Sequence, residues 1–140
     1  MRREEVEIMA PVGSYESMQA AIQAGAGSVY FGAEDLNMRS RSSSNFTLDD
    51  LKTIVQKCRK HKIKTYLTLN TVLYNEDLED MRRIIDTAEK SGVTAIIASD
   101  IAAIQYARSI GMEVHISTQL NVSNIKSLKF FASFADVVVL

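Results

Sequence analysis

The sequence predicts an α/β protein: a parallel, TIM-barrel-type (β/α) fold in incomplete form, with about six strands and five helices. Three observations predict it. Short apolar runs rich in Val, Ile and Tyr alternate with longer stretches of helical period, the pattern of βα units feeding a parallel sheet. The runs are nearly continuous in apolar residues, as strands covered on both faces should be. The phrases AGAGSVYF, SGVTAIIA and IGMEVHIS share one grammar, a Gly-containing stop followed by a hydrophobic strand, so the βα unit recurs along the chain.

Taken in order, the expected strands cover residues 6–12, 28–32, 65–71, 95–99, 113–117 and 136–140. Between them, apolar residues at i, i+3, i+4 and i+7 mark five helices. Tyr15, Met18, Ala21 and Ile22 mark the first; Leu48, Leu51, Ile54, Val55 and Cys58 the second; Leu78, Met81, Ile84, Ile85 and Ala88 the third. Ile101, Ile104 and Ala107 mark the fourth, and Ile125, Leu128, Phe131 and Ala132 the fifth. Ser14, Thr47, Asn75, Ser99 and Asn121 are the expected N-caps, Thr47 with Asp50 approximating a capping box. Gly25, Gly92 and Gly111 fall where helix C-caps belong. One connection breaks the rhythm: AEDLNMRSRSSSNF, fourteen residues after Gly32, exceeds the usual βα loop.

The 140 residues suit one domain, long enough to bury a core but short of the about 250 of a complete (β/α)8 barrel. Hydrophobic residues make up 46% and charged residues 24%, with a formal net charge of −1, the balance of a globular protein without a basic excess. One cysteine, Cys58, rules out an internal disulfide and any multi-cysteine metal site from this chain alone. The N-terminal apolar run is too short for a signal h-region or a membrane span, so the expectation is a cytoplasmic protein with no membrane role. An open barrel leaves two strand edges, through which self-association is expected.

Barrel sites are built from strand C-terminal ends and the loops just after them. Those ends carry Pro11 and Gly13, then Tyr30, Gly32, Asn37, Arg39 and Arg41. Further along come Asn70, then Ser99 and Asp100, then His115, Ser117, Thr118, Gln119 and Asn121. Arg39 and Arg41 alternate in a serine-rich stretch and either aim a guanidinium at a carboxylate or phosphate or belong to a solvated loop. Asn70 either meets a ligand or ties down a loop. Asp100 is a ligand contact or a first-turn carboxylate favoured by the helix dipole. His115, Ser117 and Gln119 are expected on one strand face, with His115 either facing a ligand or hydrogen-bonded in the interior.

There is no G-x-S-x-G, H-E-x-x-H or P-loop, and neither His61 nor His115 has a metal-ligand partner at a telling spacing. Cys58 lies on the apolar face of the second helix and reads as a buried structural thiol. The basic run KCRKHKIK, residues 57–64, reads as a solvated face with an RNA contact as the alternative.

Four stretches carry a family likeness: MAPVGSYESMQAAIQAGAGSVYFG, NFTLDDL, TYLTLNT and HISTQLNVSN. In this order, across nearly the whole chain, they resemble peptidase family U32, the collagenase-like peptidases of unassigned catalytic type. The resemblance implies the N-terminal part, 1–140, of a TIM-barrel-like domain that continues further, followed by a cysteine cluster and another domain. It implies a parent that, despite the peptidase name, acts in oxygen-independent hydroxylation of tRNA or rRNA bases or of the ubiquinone ring. Some members carry an iron–sulfur cluster and some depend on prephenate. A literal peptidase and a non-catalytic binding or assembly module are the alternatives, and the fragment alone is expected to be inactive. Pro11, Gly13, Tyr30, Gly32, Arg39, Arg41, Asn70, Asp100, His115, Ser117, Gln119 and Asn121 match the family's motif positions and are expected to form a ligand face for RNA or a small anion. Ser99 departs from the Gln more usual there. No cofactor is expected on this chain alone, since one cysteine cannot hold a four-cysteine cluster.

Overall fold

The computed structural model describes residues 6–38 and 45–140. Six strands and five helices alternate: β1 (Met9–Pro11), α1 (Tyr15–Gln23), β2 (Ser28–Gly32), α2 (Asp50–Lys60), β3 (Lys64–Leu69), α3 (Leu78–Ser91), β4 (Ala95–Ala98), α4 (Ile101–Ser109), β5 (Glu113–Ile116), α5 (Ile125–Phe131) and β6 (Val137–Val138). The strands pair in sequence order, every neighbour parallel, as a half-barrel with the helices outside. Register follows directly: Tyr30 lies beside Tyr66, Thr68 beside Ile97, and Ile97 beside His115.

Because successive strand residues point to opposite faces, the sheet builds two cores. Val29, Phe31, Leu67, Leu69, Ile96, Val114 and Ile116 point outward and are wholly buried under the helices. The helices meet them with stripes already visible in the sequence: Leu51, Ile54, Val55 and Cys58 on α2, and Met81, Ile84, Ile85 and Ala88 on α3. On the inner face, Tyr66, Ala95 and Ile97 form a separate small cluster with Tyr30 packed against it. Burial pushes the Cys58 thiol up to about 11, so it stays protonated and inert at neutral pH.

Helix ends follow the sequence where one polar residue stands alone and differ where two compete. Ser14 caps α1 in a reciprocal box with Ser17. The expected pairing of Thr47 with Asp50 forms in one direction: Asp50 Oδ2 accepts from the Thr47 N–H at 2.9 Å and hydroxyl at 3.0 Å and closes the turn before α2, while Asp49, whose side chain makes no capping bond, occupies the N-cap position. Asn75 instead opens a 3-10 turn, in which Asp77 Oδ2 accepts from the Tyr74 N–H at 2.8 Å. Asp100, not Ser99, caps α4, because its carboxylate reaches the Ala102 N–H at 2.8 Å. Asn124, not Asn121, caps α5; Asn121 adopts a left-handed φ of 50° that ends a 3-10 turn at Thr118–Leu120. The turn after α2 is closed by Lys62 at φ 57°, the conformation that Gly92 takes after α3.

The long connection is tied at its base. Ala33 and Phe46 form a parallel bridge, the Glu34 N–H donates to Phe46 O at 3.0 Å, and the Leu48 N–H donates to Glu34 Oε1 at 3.1 Å. Asn37 is fully buried over Gly32, its Nδ2 donating to Glu34 O at 2.9 Å and Ala33 O at 3.3 Å. A Cβ on Gly32 would overlap that carboxamide, so only glycine leaves room for the plug. Arg39 and Arg41 lie outside the described residues.

Candidate functional site

Residues of inward parity line the hollow of the half-barrel in layers, from strand N-terminal ends to C-terminal ends. The lowest layer is charged. Lys64 Nζ stands 2.7 Å from Glu7 Oε2, and the Tyr66 hydroxyl donates to Glu7 Oε1 at 2.6 Å. Beside them His115, 6% exposed, bonds Glu113 Oε1 through Nε2 at 2.7 Å, and its ring lies 4.7 Å from that of Tyr66. Burial pushes the Glu7 carboxyl up, but the hydrogen bonds from Lys64 and Tyr66 outweigh it and bring the group down to about 2 from 4.5. Burial and that same carboxylate raise the Tyr66 phenol.

A depressed carboxyl stabilises the fold above its unfolded pKa, and that stabilisation is lost as pH falls through the folded value. For Glu7 the window runs from about 4.5 down to about 2. Urea titrations at pH 6, 4 and 2.5 should therefore show wild type losing its advantage over Glu7→Gln as pH falls. An advantage that stays constant would detach Glu7 from the acid response.

Above this layer the hollow opens at the strand C-terminal ends into a cavity of about 170 Å³. It is lined by Met9, Tyr30, Thr68, Asn70, Ile97, Ser117, Thr118 and Val139. The lining runs from the first strand to the residue after the last, so curvature of the sheet, not any one loop, makes the cavity. Its polar groups are neutral. The Thr68 hydroxyl donates to Phe31 O at 3.0 Å, and Ser117 Oγ accepts from the Gln119 N–H at 3.3 Å. Asn70 Oδ1 accepts from the Met38 N–H at 3.3 Å, which fastens the long loop beside the cavity, and its two Nδ2 protons meet no acceptor among the described residues.

Of the residues the sequence singles out, Tyr30, Asn70 and Ser117 converge here, together with Thr118. His115 and Asp100 do not: His115 sits one layer below Ser117 against Glu113, and Asp100 is the α4 cap. Gln119 leaves the strand face because β5 ends at Ile116 and Ser117 turns the chain into a 3-10 turn; it is exposed, as is Asn121. Gly13 is occupied locally, its N–H donating to Ser17 Oγ at 3.1 Å. Thr68 joins the lining without having been singled out, although the alternation in TYLTLN places it between Tyr66 and Asn70 on one face. Met9 and Val139 carry no such signal, since they meet only through closure of the sheet.

The residues present do not fit an iron–sulfur cluster. The one cysteine is buried beneath α2, and no group of three or more His, Cys, Asp or Glu suited to a metal ion occurs among the described residues. For an anion such as prephenate, the described lining offers hydroxyls and amide protons but no cation.

The family model for peptidase family U32 matches residues 13–140. The chain belongs to peptidase family U32. Among U32 relatives, a protein of Porphyromonas gingivalis named Collagenase is 61% identical over all of this chain and 34% of its own length. The tRNA hydroxylation protein P1 of Bacillus subtilis is 31% identical over 89% of this chain and 30% of its own length. The chain thus spans about a third of the length of these relatives. The solved structure of the U32 peptidase Mk0906 superposes with a TM-score of 0.77, covering 95% of this chain and 57% of that one at 10% identity, which establishes the shared U32 fold. No helix among the described residues is long and apolar enough to cross a membrane.

Proposed function

We propose that the U32 protein to which this half-barrel belongs acts in oxygen-independent hydroxylation of a tRNA or rRNA base, and that the cavity at the strand C-terminal ends receives the base. The observation carrying this reading is the lining itself. Neutral amide and hydroxyl groups from Asn70, Ser117 and Thr118, beside the aromatic Tyr30, suit an uncharged planar ring with donors and acceptors on its edge. The cavity volume is below the usual range for drug-sized ligands and in keeping with a single ring. The name of the Bacillus subtilis relative supports the same substrate class. Such a protein works in the cytoplasm, with any cluster held by residues outside this set.

The name of the Porphyromonas gingivalis relative favours a second reading, a peptidase. The geometry gives it less support: Ser117 accepts from Gln119 and His115 bonds Glu113, so these two do not form a nucleophile–base couple. Mass spectrometry of RNA nucleosides from cells lacking the gene, beside gelatin digestion by the full-length protein, separates the two. A hydroxylated nucleoside should disappear and gelatin should remain whole. Unchanged nucleosides with gelatin cleaved would overturn the proposal.

A further inference from the structure

The charge of this chain is unevenly placed. Of its 16 Lys and Arg, six fall between Lys52 and Lys64, and no Asp or Glu occurs between Leu51 and Asn75. Lys52, Lys57, Arg59 and Lys60 lie on the solvent side of α2, Lys62 in its exit and Lys64 at the start of β3, and all are exposed. Lys64 is neutralised by Glu7, and Lys57 Nζ rests 4.9 Å from the centre of the Tyr15 ring. Lys52, Arg59, Lys60 and Lys62 meet no carboxylate within ion-pair distance among the described residues.

Helix stability does not explain the set. Cations in the last turn complement the dipole, which accounts for Arg59 and Lys60. Lys52 sits in the first turn, where the dipole disfavours it, and Lys62 lies past the end of the helix. The neighbouring α3 shows the ordinary alternative, with Glu79, Asp80, Arg82, Arg83, Asp86 and Glu89 mixed along one helix.

We infer that the outer face of α2 is a docking surface for the RNA backbone, a conclusion that rests on the RNA reading of the cavity. α2 begins at the strand C-terminal end, where the cavity opens, and its 11 residues span about 16 Å toward the other end. A strand whose base enters the cavity can therefore lay neighbouring phosphates along it. No large apolar side chain is exposed between residues 51 and 64. A lipid surface would call for apolar residues to insert, and a protein partner for aromatic or aliphatic anchors. Charge without anchors is the signature of phosphate contacts, which position a nucleic acid without reading its sequence.

The test is fluorescence anisotropy of a labelled oligouridine against the full-length protein, across salt from about 50 to 200 mM. Lys52→Gln, Arg59→Gln, Lys60→Gln and Lys62→Gln combined should weaken binding at low salt by about tenfold or more and reduce the salt slope by about 3, each neutralised phosphate on a single strand contributing about 0.7. Lys52→Arg, Lys60→Arg and Lys62→Arg combined should preserve both. Lys126→Gln with Lys129→Gln on α5 should change neither, with circular dichroism unchanged throughout. Wild-type affinity and slope in the four-fold Gln variant would overturn the inference. So would phosphatidylserine vesicles that bind through these four residues while oligouridine does not. The two readings fail separately: RNA held by α2 without any nucleoside depending on the protein leaves the surface standing and removes the hydroxylation. A nucleoside that depends on the protein while the slope ignores α2 does the reverse.

Discussion

Phe31→Ala is expected to cost about 3–5 kcal/mol, read as a fall in the urea midpoint at unchanged slope. Phe31 is fully buried on the outward face of β2, and its ring meets Phe46 edge-on at 5.7 Å between centroids. Phe46 in turn meets Tyr15 of α1 at 5.5 Å, and Phe46 is also the bridge partner that closes the long loop. Truncation thus leaves a cavity and removes the ring against which the loop base packs. The second consequence is specific: proteolysis of the loop should accelerate in Phe31→Ala more than global unfolding accounts for. Phe31→Leu, closer in volume, should cost less than about 1.5 kcal/mol and keep the loop closed. A loss under about 1 kcal/mol for Phe31→Ala would mean that the loop is not anchored through this aromatic row.

The outer core was legible in the sequence because its determinants are local. Helical spacing of Ile54, Val55 and Cys58, and nearly continuous apolar runs such as AIIA, report burial directly. The caps were legible only where chemistry left one candidate. At Ser99 and Asp100 two adjacent polar residues could serve, and the longer acidic side chain reached the Ala102 N–H. Near α5, the left-handed turn at Asn121 postponed the helix to Asn124. The terminal strands came out shorter than their apolar runs, at Met9–Pro11 and Val137–Val138, since among the described residues each pairs on one edge only.

The site was legible in half. Strand alternation identifies which side chains face inward, and Tyr30, Asn70 and Ser117 emerge from it. It does not tell which layer each occupies, and that separates Ser117 at the cavity from His115 two residues earlier. Nor does it show that the Met38 N–H binds Asn70, an interaction spanning 32 positions that makes one side chain both loop anchor and cavity wall. The basic run, legible as a solvated face, acquired direction only when the fold placed Lys57, Arg59 and Lys60 on one helix that starts at the strand C-terminal end.

The proposed base-binding role of the cavity turns most on Asn70, because its amide joins the loop to the cavity and supplies donors that have no partner among the described residues. Asn70→Ala removes one modest hydrogen bond, worth about 0.5–1.5 kcal/mol, and should leave the protein folded. The decisive measurement is the level of the hydroxylated nucleoside in RNA from cells whose only copy of the gene carries Asn70→Ala, with the variant shown to be folded and as abundant as wild type. The predicted result is a fall of about tenfold or more, as expected when a polar group that positions the reacting base is removed. A nucleoside at the wild-type level in such cells would contradict it.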